Sequence, residues 1–185
     1  METRPQDIHR EIIEQCRKGD RKAFRQLYEL YSKAMYSISL RILNDRDEAR
    51  DVLQDAFTDV FQSLDRFRYE SSFGAWLKKI VVFKSINLLK RKQRQLAYIE
   101  TTISETYEEQ EEQNPQDFSV AHVKQAIAQL PEGSRTVFSL YLLEGYDHTE
   151  IAEIMNISES TSKTQYMRAR NRVREILKEY GYEKR

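Results

Sequence analysis

Cysteine is almost missing from this chain of 185 residues. Cys16 stands alone, so no internal disulfide or cysteine-rich metal site can form. His9, His122 and His148 are scattered without ligand spacing, which argues against a bound metal. Glycine occurs five times and proline three, too few for a loop-rich or low-complexity chain. Gly19, Gly145 and Gly181 each follow a helical pattern, as C-terminal caps do, while Pro5 and Pro131 sit at the edges of helical stretches. There is no period-two strand pattern bounded by turn residues and no apolar run of membrane-spanning length. The N-terminus has neither a secretory nor a transit composition. These absences predict an all-α protein, cytoplasmic and without membrane insertion. Catalysis lacks its parts as well. No nucleophile–base pair, phosphate-binding glycine loop or metal set appears, so no catalytic residue and no cofactor is assigned.

Net charge is absent only in total. Residues 1–96 carry 20 Lys/Arg against 14 Asp/Glu, a net of +6. Residues 97–117 carry no Lys/Arg and seven acids, a net of −7. Residues 118–185 carry ten basic and nine acidic side chains, a net of +1. Charge acts through local fields, so the partition matters and the sum does not.

Four helical stretches fill the first half. The first covers roughly 7–18 and ends at Gly19. Asp20 can cap the second, which carries Phe24, Leu27, Tyr28, Tyr31, Met35, Ile38 and Ile42 at helical spacing until Asn44-Asp45 breaks it. The third, about 47–64, has a broad apolar stripe from Val52 to Leu64. The fourth starts after Ser71-Ser72 and runs through Trp76 and Ile86 into Lys90-Arg91-Lys92-Gln93-Arg94. Residues 97–117 are polar, acidic and nearly aperiodic, and their like charges oppose compaction, so they read as a flexible linker. Beyond it Val120, Val123, Ile127 and Leu130 make an amphipathic helix, and Pro131-Glu132-Gly133-Ser134 turns the chain into a further helix over 135–144.

The most informative stretch is 147–163. Ile151, Ala152 and Ile154 supply an apolar inner face, Asn156 suits a left-handed turn, and Ser158 stands where an N-cap belongs. After that cap the chain opens a second helix with small hydrogen-bonding residues. Lys163 to Arg174 then holds five basic residues and no acidic one. Any capped helical hairpin can look like this. Here, however, one side of the second helix (Tyr166, Ala169, Val173, Tyr180) packs while the other is cationic. That combination is a helix-turn-helix, able to enter a major groove while fixing the flanking phosphates.

Laid out in order, several blocks resemble bacterial RNA polymerase sigma factors of the extracytoplasmic-function group. Asp47-Glu48-Ala49-Arg50-Asp51-Val52-Leu53-Gln54-Asp55-Ala56-Phe57 is similar to the family block that grips core polymerase. Phe67-Arg68, Phe73-Gly74-Ala75-Trp76-Leu77-Lys78-Lys79-Ile80 and Asn87-Leu88-Leu89-Lys90-Arg91 resemble the block that opens the minus-ten element. Leu130-Pro131, Ile151-Ala152 and Arg168-Ala169-Arg170 resemble the minus-thirty-five reader. The resemblance implies a region 2-like domain over 1–96, the linker over 97–117 and a region 4-like domain over 118–185. Its partners are then the clamp helices of the beta-prime subunit of core RNA polymerase, promoter DNA and an anti-sigma factor. It also implies that the linker acids occupy the path of nascent RNA.

The site residues follow from those blocks. Asp51, Gln54 and Asp55 are expected to contact core polymerase. Arg68, Trp76, Lys79, Phe83, Lys84, Asn87, Lys90 and Arg91 are expected at the minus-ten element, where cations hold phosphates and aromatic rings stack on melted bases. Ser158, Ser160, Thr161, Lys163, Thr164, Gln165, Arg168 and Arg170 are expected at the minus-thirty-five element, with Gln165 suited to an adenine edge. The chain departs from the family pattern at Phe83, where Asn is usual, and at Asn87, where Asp is usual. Both departures bear on how a flipped minus-ten base is captured. The alternative from another class is a two-domain regulator that binds an operator without polymerase.

Overall fold

A computed structural model describes residues 9–99 and 120–182. Contacts divide the chain into two compact units, Met1–Asn87 and Leu88–Arg185. The division falls inside a helix and ahead of the boundary expected at 96. Apart from 97–99, which are helical, the expected acidic linker lies outside the described residues.

The first unit holds α1 (Arg10–Arg17), α2 (Arg21–Leu43), α3 (Arg46–Gln62), a 3-10 turn (Leu64–Arg66) and the start of α4 (Phe73–Ile99). Local chemistry sets these limits. Gly19 takes φ +82 after α1, a conformation without steric cost only for glycine. Asp20 then caps α2 by accepting from Lys22 N–H at 2.8 Å. Asn44 ends α2 in the left-handed region at φ 58, and Asp45 caps α3 by accepting from the amides of Asp47 and Glu48, both at 2.9 Å. Ser72 accepts from Ala75 N–H at 3.2 Å and opens α4. Each such cap is worth about 1 kcal/mol.

The core of this unit is drawn from every helix, with Ile13, Leu27, Ile42, Val60, Leu77 and Val81 fully buried. α2 and α4 approach closely where Ser39 and Ser85, both completely buried, share a hydrogen bond of 3.0 Å. Ser85 also donates to Val81 O at 2.8 Å, so neither hydroxyl is stranded in the apolar interior. A methyl group at Gly74 would lie 2.9 Å from the Tyr31 ring, so a larger residue in the first turn of α4 would require that ring on α2 to shift.

The second unit contains α5 (Val120–Ala128), α6 (Glu132–Phe138) with a π-helical turn (Ser139–Leu143), α7 (His148–Met155) and α8 (Glu159–Glu179). α6 starts earlier than its expected 135. The Pro131–Ser134 stretch is not a turn: Pro131 takes the N-cap position, where its missing N–H costs nothing, and Glu132 begins the helix. Arg135, buried at 6% exposure, donates to Leu130 O at 3.0 Å and ties the α5–α6 connection. Ala126, Ile127, Leu130, Phe138, Ala169, Val173 and Ile176 form one core, flanked by Val123, Tyr166, Leu177 and Tyr180. The apolar side read from the α8 sequence is therefore the side that packs. Among the described residues no helix is long and apolar enough to cross a membrane.

Candidate nucleic-acid and polymerase interfaces

The α7–α8 pair is held by a capping box, a left-handed corner and a second cap. Glu150 N–H donates to Asp147 at 2.8 Å, and Asp147 N–H donates to the Glu150 carboxylate at 2.9 Å. Asn156 turns the chain at φ 58, and Ser158 Oγ accepts from Thr161 N–H at 3.1 Å. Both corner residues are those expected from sequence. Sequence reading missed the joint between the two helices. His148 Nδ1 lies 2.9 Å from Oγ of Ser162, which is completely buried, and the His148 ring stacks on Tyr141 at 4.4 Å. Ser162 sits seven residues before Ala169 on the packed side, the one signal that could have set it apart from its exposed neighbours.

Ser158, Ser160, Thr161, Lys163, Thr164, Arg168 and Arg170 are all exposed, so α8 presents them away from its core. Thr164 donates to Ser160 O at 2.9 Å, and Lys163 pairs with Glu159 at 2.5 Å. Gln165 is placed differently. It is half-buried, its amide oxygen has no hydrogen-bond partner among the described residues, and a methyl group at Gly133 would come within 2.8 Å of that oxygen. Its carboxamide therefore faces α6 at Gly133, and a larger residue there would require the Gln165 side-chain end to shift.

On α4, Lys79, Phe83 and Asn87 are exposed at four-residue intervals and form one row, with Phe83 at 47% exposure. Lys84 is turned from that row and pairs with Asp59 of α3 at 2.7 Å. Lys90 and Arg91 lie past the division into the second unit. Arg91 is exposed, and Lys90 is half-buried and donates to Ile154 O at 3.0 Å.

Trp76 is not a core residue. It is half-buried, stacked on Phe67 at 5.0 Å with an interplanar angle of 27°, and the pair lines an open cleft of about 550 Å³. The cleft is lined by Asp65, Arg66, Phe67, Arg68, Glu70, Ser71 and Trp76. Of these only Arg68 and Trp76 were expected from sequence. The others sit on the irregular 65–71 segment, whose path no periodicity reveals.

That path is fixed by contacts from α1. Arg17 donates to Leu64 O at 3.2 Å and to Phe67 O, so one guanidinium gathers both ends of the 3-10 turn. It also bonds Glu14 at 2.8 Å. Tyr69 adopts φ 57, a left-handed conformation that costs a non-glycine residue on the order of 1 kcal/mol. Its hydroxyl donates to Glu14 at 2.7 Å, and the Arg10 and Arg17 guanidiniums lie 4.9 and 5.2 Å from its ring centre. Burial, and then the Glu14 bond, push the Tyr69 phenol up to about 12. The same bond is the leading cause that holds the Glu14 carboxyl below its usual value.

Asp51, Gln54 and Asp55 are exposed on α3, while Val52, Leu53, Ala56, Phe57 and Val60 on its other side are buried. The structure therefore joins the three expected polymerase contacts on one polar face. Cys16 plays no part in these surfaces: it is buried, and desolvation pushes its thiol up to about 11, unsuited to a nucleophile.

Two family models match the chain, Sigma-70 region 2 over residues 27–95 and Sigma-70, region 4 over residues 122–173. The RNA polymerase sigma-H factor of Pseudomonas aeruginosa is 30% identical over 188 residues, covering 96% of each chain. The chain belongs to the sigma-70 family. The ECF RNA polymerase sigma-E factor of Escherichia coli is 31% identical over 173 residues, covering 88% of this chain and 90% of its own. That places the chain with the extracytoplasmic-function sigma factors, which are non-enzymatic transcription initiation factors. Likeness to sigma factors along nearly the whole length decides against an independent two-domain regulator. The sigma-factor fold is shared with the sigma factor RpoE of Bartonella quintana, solved in complex with the anti-sigma factor NepR. The TM-score is 0.58 at 24% identity, covering 85% of this chain and 98% of that one. CnrH, solved with the cytosolic domain of CnrY, has a TM-score of 0.52 at 23% identity, covering 91% of this chain and 96% of that one.

Proposed function

We propose that this sigma factor distributes its task over three surfaces. The polar face of α3, with Asp51, Gln54 and Asp55, docks on cationic residues of the clamp helices of core RNA polymerase. The α4 row of Lys79, Phe83 and Asn87, with Arg68 and Trp76 at the cleft, receives the melted minus-ten strand. Lys90 and Arg91 extend the cationic supply toward the strand's phosphates, and Lys84 reaches them once it leaves Asp59. Ser158, Ser160, Thr161, Lys163, Thr164, Arg168 and Arg170 face the major groove of the minus-thirty-five element. Gln165 supports α8 against α6 and becomes a base reader only if its side chain turns outward. The domain limits at 1–96 and 118–185 suit the two family regions. The working compartment is the cytoplasm, and an anti-sigma factor is a further partner, with the exposed Leu142 and Leu143 as apolar surface for it.

The observation that carries this reading is the cleft between Arg68 and Trp76. An open cavity lined by Phe67, Trp76 and Arg68 suits a base unstacked from its strand, since any base offers a π-face and stacking yields about 1–3 kcal/mol. The test is binding of a fluorescent single-stranded minus-ten oligonucleotide by the holoenzyme. One position at a time would be made abasic. One abasic position that weakens binding far more than its neighbours, and only while Trp76 is present, supports the assignment. Equal effects at every position oppose it.

A further inference from the structure

We infer that α1 is the positioning element for the base cleft, acting through Glu14, Arg17 and Tyr69, none of which lines it. The inference rests on the reading of the cleft given above. Three observations on different residues carry it.

The cleft wall is an irregular segment that follows a short 3-10 turn and takes additional bonds from α1. Its 3-10 turn ends in carbonyls at Leu64 and Phe67, and Arg17 bonds both. Its turn residue Tyr69 sits in a left-handed conformation that an L-residue keeps only when its surroundings enforce it. Those surroundings are α1 side chains: Glu14 at the hydroxyl, Arg10 and Arg17 over the ring.

From there the contact passes through packed aromatic rings. Tyr69 lies 4.7 Å from Phe67, tilted against it, and Phe67 stacks at 5.0 Å on Trp76; Phe67 and Trp76 both line the cleft. The separation of Phe67, Arg68 and Trp76 is therefore set by side chains fifty or so positions upstream, through Glu14–Tyr69 at 55 and Arg17–Phe67 at 50. Preorganisation of this kind lowers what a captured base must spend on ordering the loop. It also makes α1 a determinant of base selectivity without touching DNA.

The experiment measures, for the holoenzyme, the affinity ratio between an intact minus-ten oligonucleotide and the same strand abasic at the captured position. Tyr69→Phe removes only the donor, Arg17→Lys keeps the charge but loses the fork, and Glu14→Ala removes the acceptor. Each should lower the ratio roughly two- to thirtyfold, the range over which indirect contacts modulate coupling, with binding of the abasic strand unchanged. Glu14→Gln, which keeps an acceptor oxygen, should recover most of what Glu14→Ala loses. A purely structural role would shift the unfolding midpoint and leave the ratio alone. An unchanged ratio in Tyr69→Phe and Arg17→Lys, against a large wild-type ratio, overturns the inference. A wild-type ratio near unity instead removes the cleft reading on which it rests.

Discussion

His148 and Ser162 meet across the helix-turn-helix corner, imidazole Nδ1 to hydroxyl at 2.9 Å, with the serine completely buried. This contact and the two caps at Asp147 and Ser158 set the angle at which α8 leaves α7. Ser162→Ala should lower the stability of the C-terminal unit by about 1 kcal/mol, the usual worth of one buried hydrogen bond. Ser162→Leu, which has no room to expand, should cost about 1–3 kcal/mol. Thermal unfolding checks both. Duplex binding should fall in parallel, because the outward residues are aimed by this joint.

Exposed cations of α8 should act through phosphates. Lys163→Ala and Arg168→Ala are each expected to weaken minus-thirty-five duplex binding on all sequences alike. Each should reduce the slope of log affinity against log salt by roughly 0.9. Ser160 and Thr164 substitutions should alter base preference instead. Gln165→Ala should change base preference less than either and stability more, because its amide faces α6 at Gly133. Affinities measured across a salt series on permuted duplexes separate these effects.

Trp76→Ala at the cleft and Phe83→Ala on the α4 row each remove a ring that can carry a base. Either should weaken single-strand binding by the worth of one stack, about 1–3 kcal/mol. Phe83 is 47% exposed, so its loss should leave the melting temperature nearly unchanged. Trp76→Ala should also destabilise the unit, since its ring packs on Phe67. Binding of core polymerase should survive both, and anisotropy with oligonucleotide and with core checks the separation.

The α1 contacts carry a pH signature of their own. The fold favours the neutral Tyr69 phenol, raised from 10.0 to about 12, so its stabilising contribution is complete below pH 10 and is lost as pH rises through about 12. Glu14 runs the other way: its carboxyl is held below 4.5, so its contribution is present above that value and is lost as pH falls through the lowered one. Tyr69→Phe should remove one late-titrating phenol from the tyrosinate absorbance curve. It should also raise the Glu14 titration midpoint seen by carboxyl NMR.

Regular parts of this molecule were legible from sequence because they announce themselves through period and punctuation. Asp20, Asn44, Asn156 and Ser158 mark helix ends by chemistry local to the residue, and Ala169 and Val173 mark the packed side of α8 by spacing. The acidic row of α3 followed from the same arithmetic. What could not be read depends on contacts between distant positions. Pro131 suits a turn or a helix start equally well, and only its packing makes it the latter. Gln165 and Lys84 are polar residues on helices rich in exposed polar residues, and nothing local tells which way each turns. The cleft was invisible because its walls come from an irregular segment shaped by Glu14 and Arg17 more than forty positions earlier.

Asp51 and Asp55 bear directly on the central claim that this chain gives core RNA polymerase its promoter specificity. The decisive measurement is run-off transcription from a library of promoter fragments, with core alone, with the wild-type chain, and with Asp51→Lys/Asp55→Lys. The account predicts transcripts with defined start sites only in the presence of the wild-type chain, and their loss in the charge-reversed variant despite its normal fold. Core polymerase that gains no defined start sites from the wild-type chain would contradict it.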